Sequence, residues 1–342
     1  MSNILSPLLG AIIQEDHNNS TQFYSLPSFL IIGVQKAGTT FYRNILNTHP
    51  ILLGLNAPNR EPHFFDLFYG SQQGNEMADR IKTYAHMSPL EGECDERLFF
   101  DCTPSYFDTF RFKYNFTPER VRAVFKGAIK VVVVLRDPVD RFHSWVKMKA
   151  KRTLTKDVYQ GVIDQIGGDS GVFYENLVKR TPVHGKERGP LTSQGADFIT
   201  DHVVNRGVLR GLYARYFREW AELHEGAGKI HIVIHDELTR EPARVLNATA
   251  EWLGIEGYEI TQEEMDTLNT RAGIVRTQHV ESFEKYSRFF EEGGNEALRK
   301  YFSEIDDADG GLVHLLKKYS DASEDSLATV RGWYEKTPQL SD

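Results

Sequence analysis

A short stretch near the N-terminus, residues 28–50, joins an apolar strand to a glycine-bearing loop and the start of a helix. The apolar run Phe29–Ile32 precedes the loop Gly33–Thr40, and apolar residues at helical spacing follow: Phe41, Ile45 and Leu46. Such an arrangement holds phosphate groups, because glycine lets the backbone approach an anion and the first helical amides lack intrahelical partners. The stretch therefore predicts an α/β fold with a phosphate site after a buried strand.

The loop departs from the nucleoside-triphosphate pattern G-x-x-x-x-G-K-[ST] at one position. Gly33 and Gly38 occupy the glycine positions, but residue 39 is Thr where the pattern has Lys. The lysine lies inside the loop instead, as Lys36. We therefore expect a phosphate loop that is not built for ATP or GTP, with an ATP-dependent phosphotransferase as the alternative. The residues predicted to hold the phosphate are Lys36, Ala37, Gly38, Thr39 and Thr40.

The sequence K-x-G-T-T at residues 36–40 resembles the 5′-phosphosulfate loop of sulfotransferases that use 3′-phosphoadenosine 5′-phosphosulfate (PAPS). The resemblance implies an enzyme that moves a sulfuryl group from PAPS, with Lys36 stabilising charge on the leaving phosphate. It also implies a P-loop-like central parallel sheet flanked by helices, in a single sulfotransferase domain. No metal is expected, since a sulfuryl group carries less charge than a phosphoryl group. A non-catalytic nucleotide-binding protein remains an alternative.

A second buried strand, Ile129–Leu135, is followed directly by Arg136. Its unbroken β-branched residues predict burial on both faces, hence a central parallel strand. Ser144 lies two helical turns after Arg136. The stretch resembles the family's 3′-phosphate segment, L-R-[DN]-P-x-x-R-x-x-S, which implies that Arg136 and Ser144 hold the 3′-phosphate of PAPS. The family closes over this phosphate with a basic C-terminal loop, and Arg276 is the candidate here, with Arg271 as its rival.

The segment Asn59–Asp66 places carboxylates and a histidine beside aromatic residues. Pro62 disfavours helix at the preceding residue, so we expect a loop. The sequence R-E-P-H-F-F-D resembles the K/R-E-x-H-F-F-D segment of glycosaminoglycan-type sulfotransferases. The resemblance implies that Glu61 is the catalytic base and that His63 is its neighbour at the acceptor. A surface loop with a solvated carboxylate is the alternative.

The segment at residues 102–106 (CTPSY) resembles the K-T-P-x-Y segment that borders the family's acceptor cleft, but Cys102 replaces the lysine. A lysine there helps to grip an anionic saccharide, so its absence argues against a heavily sulfated polysaccharide. We therefore expect a small-molecule acceptor with a hydroxyl or an amine. A carbohydrate acceptor of the glycosaminoglycan type remains the alternative.

Composition limits the partners of the chain. A formal net charge of −8 makes a bulk attraction to nucleic acid or an anionic membrane unfavourable. No apolar segment is long enough to span a bilayer, which takes about 18 residues or more. The two cysteines, Cys94 and Cys102, are too few to stabilise a chain of 342 residues through disulfides. We therefore expect free thiols and a cytoplasmic protein. A trimmed form of a membrane-anchored protein remains open, and the sequence does not indicate an oligomeric state.

The organisation predicted from the sequence has three parts. Residues 1–27 form a lead-in that we expect to be poorly ordered, residues 28–319 form the sulfotransferase domain, and residues 320–342 form a polar C-terminal tail. Within the domain, apolar residues from Asn205 to Glu225 recur at helical spacing and predict one long helix.

Overall fold

The computed structural model of the chain describes the following residues: 12–17, 20–57, 60–69, 77–90, 96–108, 117–126, 129–152, 156–166, 169–180, 207–223, 230–271, 281–307 and 311–335. The chain divides into two compact units. The first unit comprises Met1–Leu135, Glu219–Ile274 and Tyr319–Asp321. The second comprises Arg136–Arg218, Val275–Lys318 and Ala322–Asp342.

A parallel sheet of five strands forms the centre of the first unit. Its strands are β3 (Phe29–Gly33), β4 (Leu52–Gly54), β6 (Leu98–Cys102), β7 (Lys130–Leu135) and β8 (His231–Ile234). They lie in the order β4-β6-β3-β7-β8, and every neighbouring pair is parallel. The carboxyl ends of parallel strands share one edge of a sheet, so the loops after β3, β6 and β8 lie along the same edge.

Burial explains why these segments form the central sheet. All residues of β3, β6 and β8 are buried, as are all residues of β7 except Lys130. Continuous apolar runs of this kind are typical of strands covered on both faces. The flanking helices of this unit are α1 (Thr39–Leu46), α2 (Met77–Ala85), α3 (Thr117–Phe125), α8 (His235–Arg240), α9 (Pro242–Leu253) and α10 (Gln262–Arg271). The predicted α/β fold with a central parallel sheet and flanking helices is confirmed.

The lead-in, expected to be poorly ordered, contains regular structure. Strand β1 (Ile12–His17) pairs antiparallel with β2 (Ser20–Ser25), which also pairs with β5 (Pro89–Leu90). Residues 12–17 and 20–25 of the predicted lead-in therefore form paired strands, while the bounds of the lead-in and of the domain stay a prediction. Each strand alone is short and carries polar residues, and the pairing with β5 depends on a segment more than sixty positions away.

Helices make up the described part of the second unit. They are α4 (Pro138–Arg152), α5 (Lys156–Ile166), α6 (Ser170–Arg180), α11 (Glu281–Phe289), α12 (Asn295–Asp307), α13 (Leu312–Tyr319) and α14 (Glu324–Glu335), together with the start of α7 (Tyr213–Leu223). A π-helical turn, Phe290–Gly294, joins α11 to α12. Pro138 opens α4, as its fixed φ and missing amide favour.

The single long helix predicted from Asn205 to Glu225 is wrong in the described range 207–223. A tight turn interrupts it, with the amides of Gly211 and Leu212 bonded to the carbonyls three positions earlier. The helix proper begins only at Tyr213. A Cβ on Gly211 would lie 2.5 Å from the ring of Phe302, so close packing against α12 accompanies the break. The apolar spacing continues through the turn, which is why periodicity alone suggested one helix.

The C-terminal tail is more structured than its polar composition suggests. Ser320 forms a parallel bridge with Ile230, and Asp321 accepts a hydrogen bond from His231 at 2.5 Å. Helix α14 follows, and its Trp333 is buried with 3% of its surface exposed. The described part of residues 320–342 therefore packs as folded structure.

Candidate active site

The predicted donor loop, residues 33–40, turns tightly between β3 and α1. The amide of Val34 bonds to the carbonyl of Val134 at 2.9 Å, so the loop starts from a fixed position beside β7. Lys36 and Gly38 both lie in the left-handed region, with φ of 73° and 95°. Glycine adopts this conformation without steric cost, which explains Gly38 at the position just before the helix.

The start of α1 offers its amides to an anion. Gly38 supplies no side-chain cap, and the first turn contains no acidic residue. Thr39 is buried, Thr40 is exposed, and Lys36 is partly exposed. Uncapped helical amides carry a partial positive charge and bind phosphate groups readily. The residues present therefore fit the predicted phosphate.

Two side chains pack closely against the glycines of the donor loop. A Cβ on Gly33 would lie 2.4 Å from Cβ of Phe107, and a Cβ on Gly38 would lie 2.9 Å from Cδ2 of His235. His235 is the first residue of α8, immediately after β8. Sequence reasoning treated this strand and helix as scaffold and missed the contact. The position of a histidine directly after a buried parallel strand is the signal that could have indicated it.

The predicted base lies in a loop with unusual backbone geometry. Residues 61–63 have no regular structure, as Pro62 suggested, and a π-helical turn follows at Phe64–Phe68. Arg60 and His63, on either side of Glu61 and Pro62, have φ of 64° and 54°. Left-handed conformations cost about 1–3 kcal/mol for residues other than glycine, so surrounding contacts must hold them in place.

The structure brings the two predicted acceptor-side residues together and adds a third. Nε2 of His63 lies 3.2 Å from Oε2 of Glu61, and Nδ1 lies 3.1 Å from Oδ2 of Asp66. Ser105 donates a hydrogen bond to Oδ2 of Asp66 at 2.6 Å. The Asp66 side chain is fully buried, whereas 35% of the Glu61 side chain is exposed. In this triad of Glu61, His63 and Asp66, Glu61 is therefore the most exposed member.

The two carboxylates favour a charged imidazole. Burial by itself opposes the charge, but hydrogen bonds to Asp66 and Glu61 outweigh it and raise the pKa of His63 to about 9. At neutral pH, His63 is therefore a cation between two acidic groups. A protonated His63 cannot take up a further proton, so it cannot itself act as a general base.

This raised pKa of His63 predicts a pH-dependent contribution to stability. Its folded-state pKa exceeds the ordinary value of 6.5, so the contribution is complete below that value and is lost as pH rises through about 9. We expect His63→Gln to lower the free energy of unfolding by about 2 kcal/mol more at about pH 6 than at about pH 10. Urea unfolding of both proteins at both pH values measures this. If wild type and variant differ by the same free energy of unfolding at both pH values, His63 is not charged in the folded protein.

A second buried carboxylate supports the same loop. Asp101, at the end of β6, accepts hydrogen bonds from Tyr84 at 2.6 Å, Tyr106 at 2.9 Å and Thr103 at 2.6 Å. Burial raises the pKa of Asp101 to about 6, although these three hydrogen bonds oppose the rise. The Thr103 hydroxyl also accepts a hydrogen bond from the amide of His63 at 3.4 Å. The Asp101 cluster thus fixes the backbone at the left-handed His63.

Cys102 occupies the position where the resembling segment has lysine. Its side chain is buried, and its Sγ donates to the carbonyl of Thr39 at 3.8 Å, beneath the start of α1. Burial raises the pKa of this free thiol, so the position carries no charge. Cys94 lies outside the described residues.

The predicted 3′-phosphate segment belongs to the second unit. The carboxylate of Asp137 accepts hydrogen bonds from the amides of Val139 and Asp140. It also forms an ion pair with Arg299 at 2.9 Å, and together these contacts fix the start of α4. The carbonyl of Arg136 accepts a hydrogen bond from the Tyr213 hydroxyl at 2.8 Å. Arg136 and Ser144 are both half-buried. Their role as a phosphate site stays a prediction.

Some predictions fall outside what the structure describes. Arg276 lies in the undescribed stretch 272–280, and of Arg271 only the backbone is described. Among the described residues, no cluster of three or more His, Cys, Asp or Glu side chains is arranged to hold a metal ion. Within those same ranges, no helix combines the length and the apolar character that crossing a membrane requires.

Comparisons with known proteins identify the family. A family model described as "Sulfotransferase domain" matches residues 26–309. The bifunctional heparan sulfate N-deacetylase/N-sulfotransferase 1 of Homo sapiens is 26% identical over 229 residues, which cover 67% of this chain and 22% of that protein. The heparan sulfate glucosamine 3-O-sulfotransferase 3A1 of Mus musculus is 28% identical over 232 residues, which cover 67% of this chain and 46% of that protein. The chain thus matches less than half the length of these curated relatives.

Among solved structures, a sulfotransferase from Alicyclobacillus acidocaldarius is similar to 80% of this chain and 99% of its own, at 18% identity and a TM-score of 0.44. The family model alone covers most of the chain, from residue 26, just before β3, to residue 309, just after α12. The motifs at the donor loop and the Glu61 loop lie within this match. The chain belongs to the sulfotransferase-domain family.

Proposed function

We propose that this chain transfers the sulfuryl group of PAPS to a hydroxyl or an amine of its acceptor, with Glu61 as the general base. The observation that carries the proposal is the contact between Glu61 and a protonated His63. The same compact unit contains the start of α1, which follows the central strand β3 and has no side-chain cap. A base and an anion site are the two parts that this reaction needs from a protein.

The proposed reaction is a single in-line displacement at sulfur. The acceptor oxygen or nitrogen forms a bond to sulfur while the bond from sulfur to the 5′-phosphate oxygen breaks. The acceptor proton goes to Glu61, and the electron pair of the broken bond stays on the leaving phosphate. His63, charged and held by Asp66, orients Glu61 and keeps its carboxylate facing the acceptor.

The donor would be held at its two phosphates. The amides at the start of α1, with Thr39 and Thr40, hold the 5′-phosphate, and Lys36 supplies positive charge where the leaving oxygen gains negative charge. Arg136 and Ser144 hold the 3′-phosphate, since an arginine fork and a hydroxyl suit phosphate oxygens. Arg276 closes on the 3′-phosphate in the same proposal. No metal is part of it.

The proposed acceptor is a small molecule, and a saccharide is the second candidate. The buried, neutral Cys102 supports the first, because it removes the cation that would grip an anionic chain. The names of the heparan sulfate relatives support the second. Transfer of labelled sulfate from PAPS to a simple phenol, compared with a non-sulfated glucosamine oligosaccharide, separates the two. A cytoplasmic location belongs to the small-molecule proposal.

Calorimetry tests the donor site without knowledge of the acceptor. We expect adenosine 3′,5′-bisphosphate to bind at least about tenfold more tightly than 5′-AMP, because a charge-assisted hydrogen bond contributes about 1.5–3 kcal/mol. Arg136→Ala should remove most of this difference, since the 5′-phosphate contacts remain. Arg240→Ala, at an exposed arginine of the first unit, is the matched control and should bind as the wild type does.

The same measurement separates the alternatives. Equal binding of both nucleotides by the wild type contradicts the 3′-phosphate site, and a requirement for Mg²⁺ would favour the ATP-dependent phosphotransferase. Tight binding of the bisphosphate without transfer to any acceptor would favour a non-catalytic nucleotide-binding protein. Tight binding that depends on Arg136, followed by transfer from PAPS, supports the enzyme.

A further inference from the structure

A buried arginine connects the helix of the proposed donor site to the loop that carries Glu61. Arg43 lies on α1, one helical turn after Thr39, and only 8% of it is exposed. Its guanidinium donates to the carbonyl of Leu55 at 3.0 Å and to the carbonyl of Arg60 at 2.8 Å. Leu55 follows the end of β4, and Arg60 immediately precedes Glu61. One side chain therefore binds both ends of segment 55–60.

We infer that Arg43 is a positioning residue for Glu61, which it holds at a fixed place relative to the start of α1. The inference rests on the proposed function, since it assigns Arg43 to the same reaction. It concerns a residue that none of the recognised motifs contains.

The backbone at Arg60 explains why such a contact is needed. Arg60 has a φ of 64°, a conformation that is strained for a non-glycine residue and persists only where other contacts enforce it. The hydrogen bond from Arg43 acts on the carbonyl of this residue, one peptide bond before Glu61. At the other end of the turn, Thr103 holds the amide of His63. The two contacts bracket Glu61 and Pro62.

The surroundings of Arg43 show a site built for its guanidinium. The guanidinium lies over the ring of Phe100, with Cζ 6.0 Å from the ring centre. A Cβ on Gly54 would lie 2.6 Å from Cζ of Arg43 and 2.7 Å from Nη2, so only glycine leaves room for the group in its present position. Burial lowers the pKa of Arg43, and the charge of Arg60 acts in the same direction. The carboxylates of Asp101 and Glu61 oppose this and partly offset the cost of burying the charge.

Two kinds of variant perturb this bridge independently. Arg43→Met removes the hydrogen bonds and the charge, while Arg43→Lys keeps the charge but replaces the two donating nitrogens of the guanidinium with a single ammonium nitrogen. Gly54→Ala keeps the arginine at position 43 but displaces its guanidinium, since the new methyl group would overlap the flexible end of the side chain. Matched controls are Arg240→Met, at an exposed arginine, and Gly332→Ala, where a Cβ meets nothing within 4 Å.

Hydrogen–deuterium exchange is the deciding readout, because it needs no acceptor. We expect the amides of residues 60–66, apart from Pro62, which has no amide hydrogen, to exchange faster in Arg43→Met and Gly54→Ala than in the wild type and both controls, while the amides of β7 stay protected. In transfer assays on an acceptor that the wild type sulfates, kcat should fall about 10- to 100-fold in Arg43→Met and less in Gly54→Ala, because small displacements of a catalytic group have effects of this size. Arg43→Lys should recover part of the loss.

Binding of adenosine 3′,5′-bisphosphate separates positioning from donor binding. We expect its Kd to change less than about threefold in these variants, since a group that acts on the base changes the transition state and not the bound ground state. Wild-type exchange at residues 60–66 in Gly54→Ala and in folded Arg43→Met overturns the inference. So does a rise in Kd that matches the fall in kcat. If Arg43→Met does not fold, Gly54→Ala decides.

Failure of the proposed function gives a different result. A wild-type protein that neither binds the bisphosphate nor transfers sulfate contradicts the sulfotransferase mechanism, whatever the variants do. The exchange comparison still decides whether Arg43 holds the Glu61 loop.

Discussion

Lys36→Ala is expected to lower kcat for sulfuryl transfer by about 100- to 1,000-fold, the usual effect of removing one donor that stabilises charge in the transition state. The bond that breaks leaves an electron pair on the 5′-phosphate oxygen, so negative charge increases beside the donor loop as the reaction proceeds. In the proposed mechanism, the amides at the start of α1 bind the phosphate both before and during the reaction. Lys36 adds a whole charge on a mobile side chain in the same loop.

The position of Lys36 makes this prediction specific. Its backbone is left-handed, with φ of 73°, inside the turn that precedes α1, whereas a nucleoside-triphosphate loop has its lysine at the helix start. Because the amides of α1 remain, the Kd for adenosine 3′,5′-bisphosphate should rise much less than kcat falls. Lys317→Ala, at a lysine whose side chain is 68% exposed, is the control. A kcat near that of the wild type in Lys36→Ala removes this residue from the mechanism.

Sequence patterns predicted the part of the fold in which local chemistry decides the structure. The run from Phe29 to Ile32 is apolar at every position, and it forms the buried central strand together with Gly33. The same holds for β7, and Pro138 opens a helix as its geometry requires. In these segments the local preference and the tertiary environment agree, so the sequence alone suffices.

The errors occur where a distant partner decides the structure. The tight turn before Tyr213 is accompanied by the ring of Phe302 packed against Gly211, more than ninety positions away. The strands within residues 12–25 are completed by β5, from a segment that carries no strong strand pattern. Periodicity measures one segment at a time and cannot detect such contacts.

In the candidate site, too, the sequence predicts contacts within one motif but not contacts between distant residues. Glu61 and His63 are two positions apart in one motif, and their side chains meet at 3.2 Å. By contrast, Ser105 reaches Asp66 across 39 positions, and Arg43 reaches the carbonyl of Arg60 across 17. An arginine in a helix is ordinarily exposed, so nothing in its local sequence indicates that Arg43 is buried.

Glu61→Gln is expected to have the largest effect of any single substitution, a fall in kcat of about 100- to 10,000-fold, which is the range for loss of a general base. Glutamine keeps the size and the hydrogen-bonding oxygen, so it can still contact Nε2 of His63. It cannot take the acceptor proton. His63 is a poor replacement, because the buried carboxylate of Asp66 remains in this variant and still raises the pKa of His63.

Comparison with Asp66→Asn separates the proposed base, Glu61, from the residues that orient it. Asp66 is fully buried and contacts His63 and Ser105, so its loss affects the orientation of Glu61 through His63. We therefore expect a smaller fall in kcat for Asp66→Asn, with bisphosphate binding preserved in both variants. Glu264→Gln, at a carboxylate bound to Thr261 and Tyr258 outside the site, should leave kcat unchanged. If Glu61→Gln retained most of the wild-type kcat while Asp66→Asn lost it, the acceptor proton would have to leave by another group.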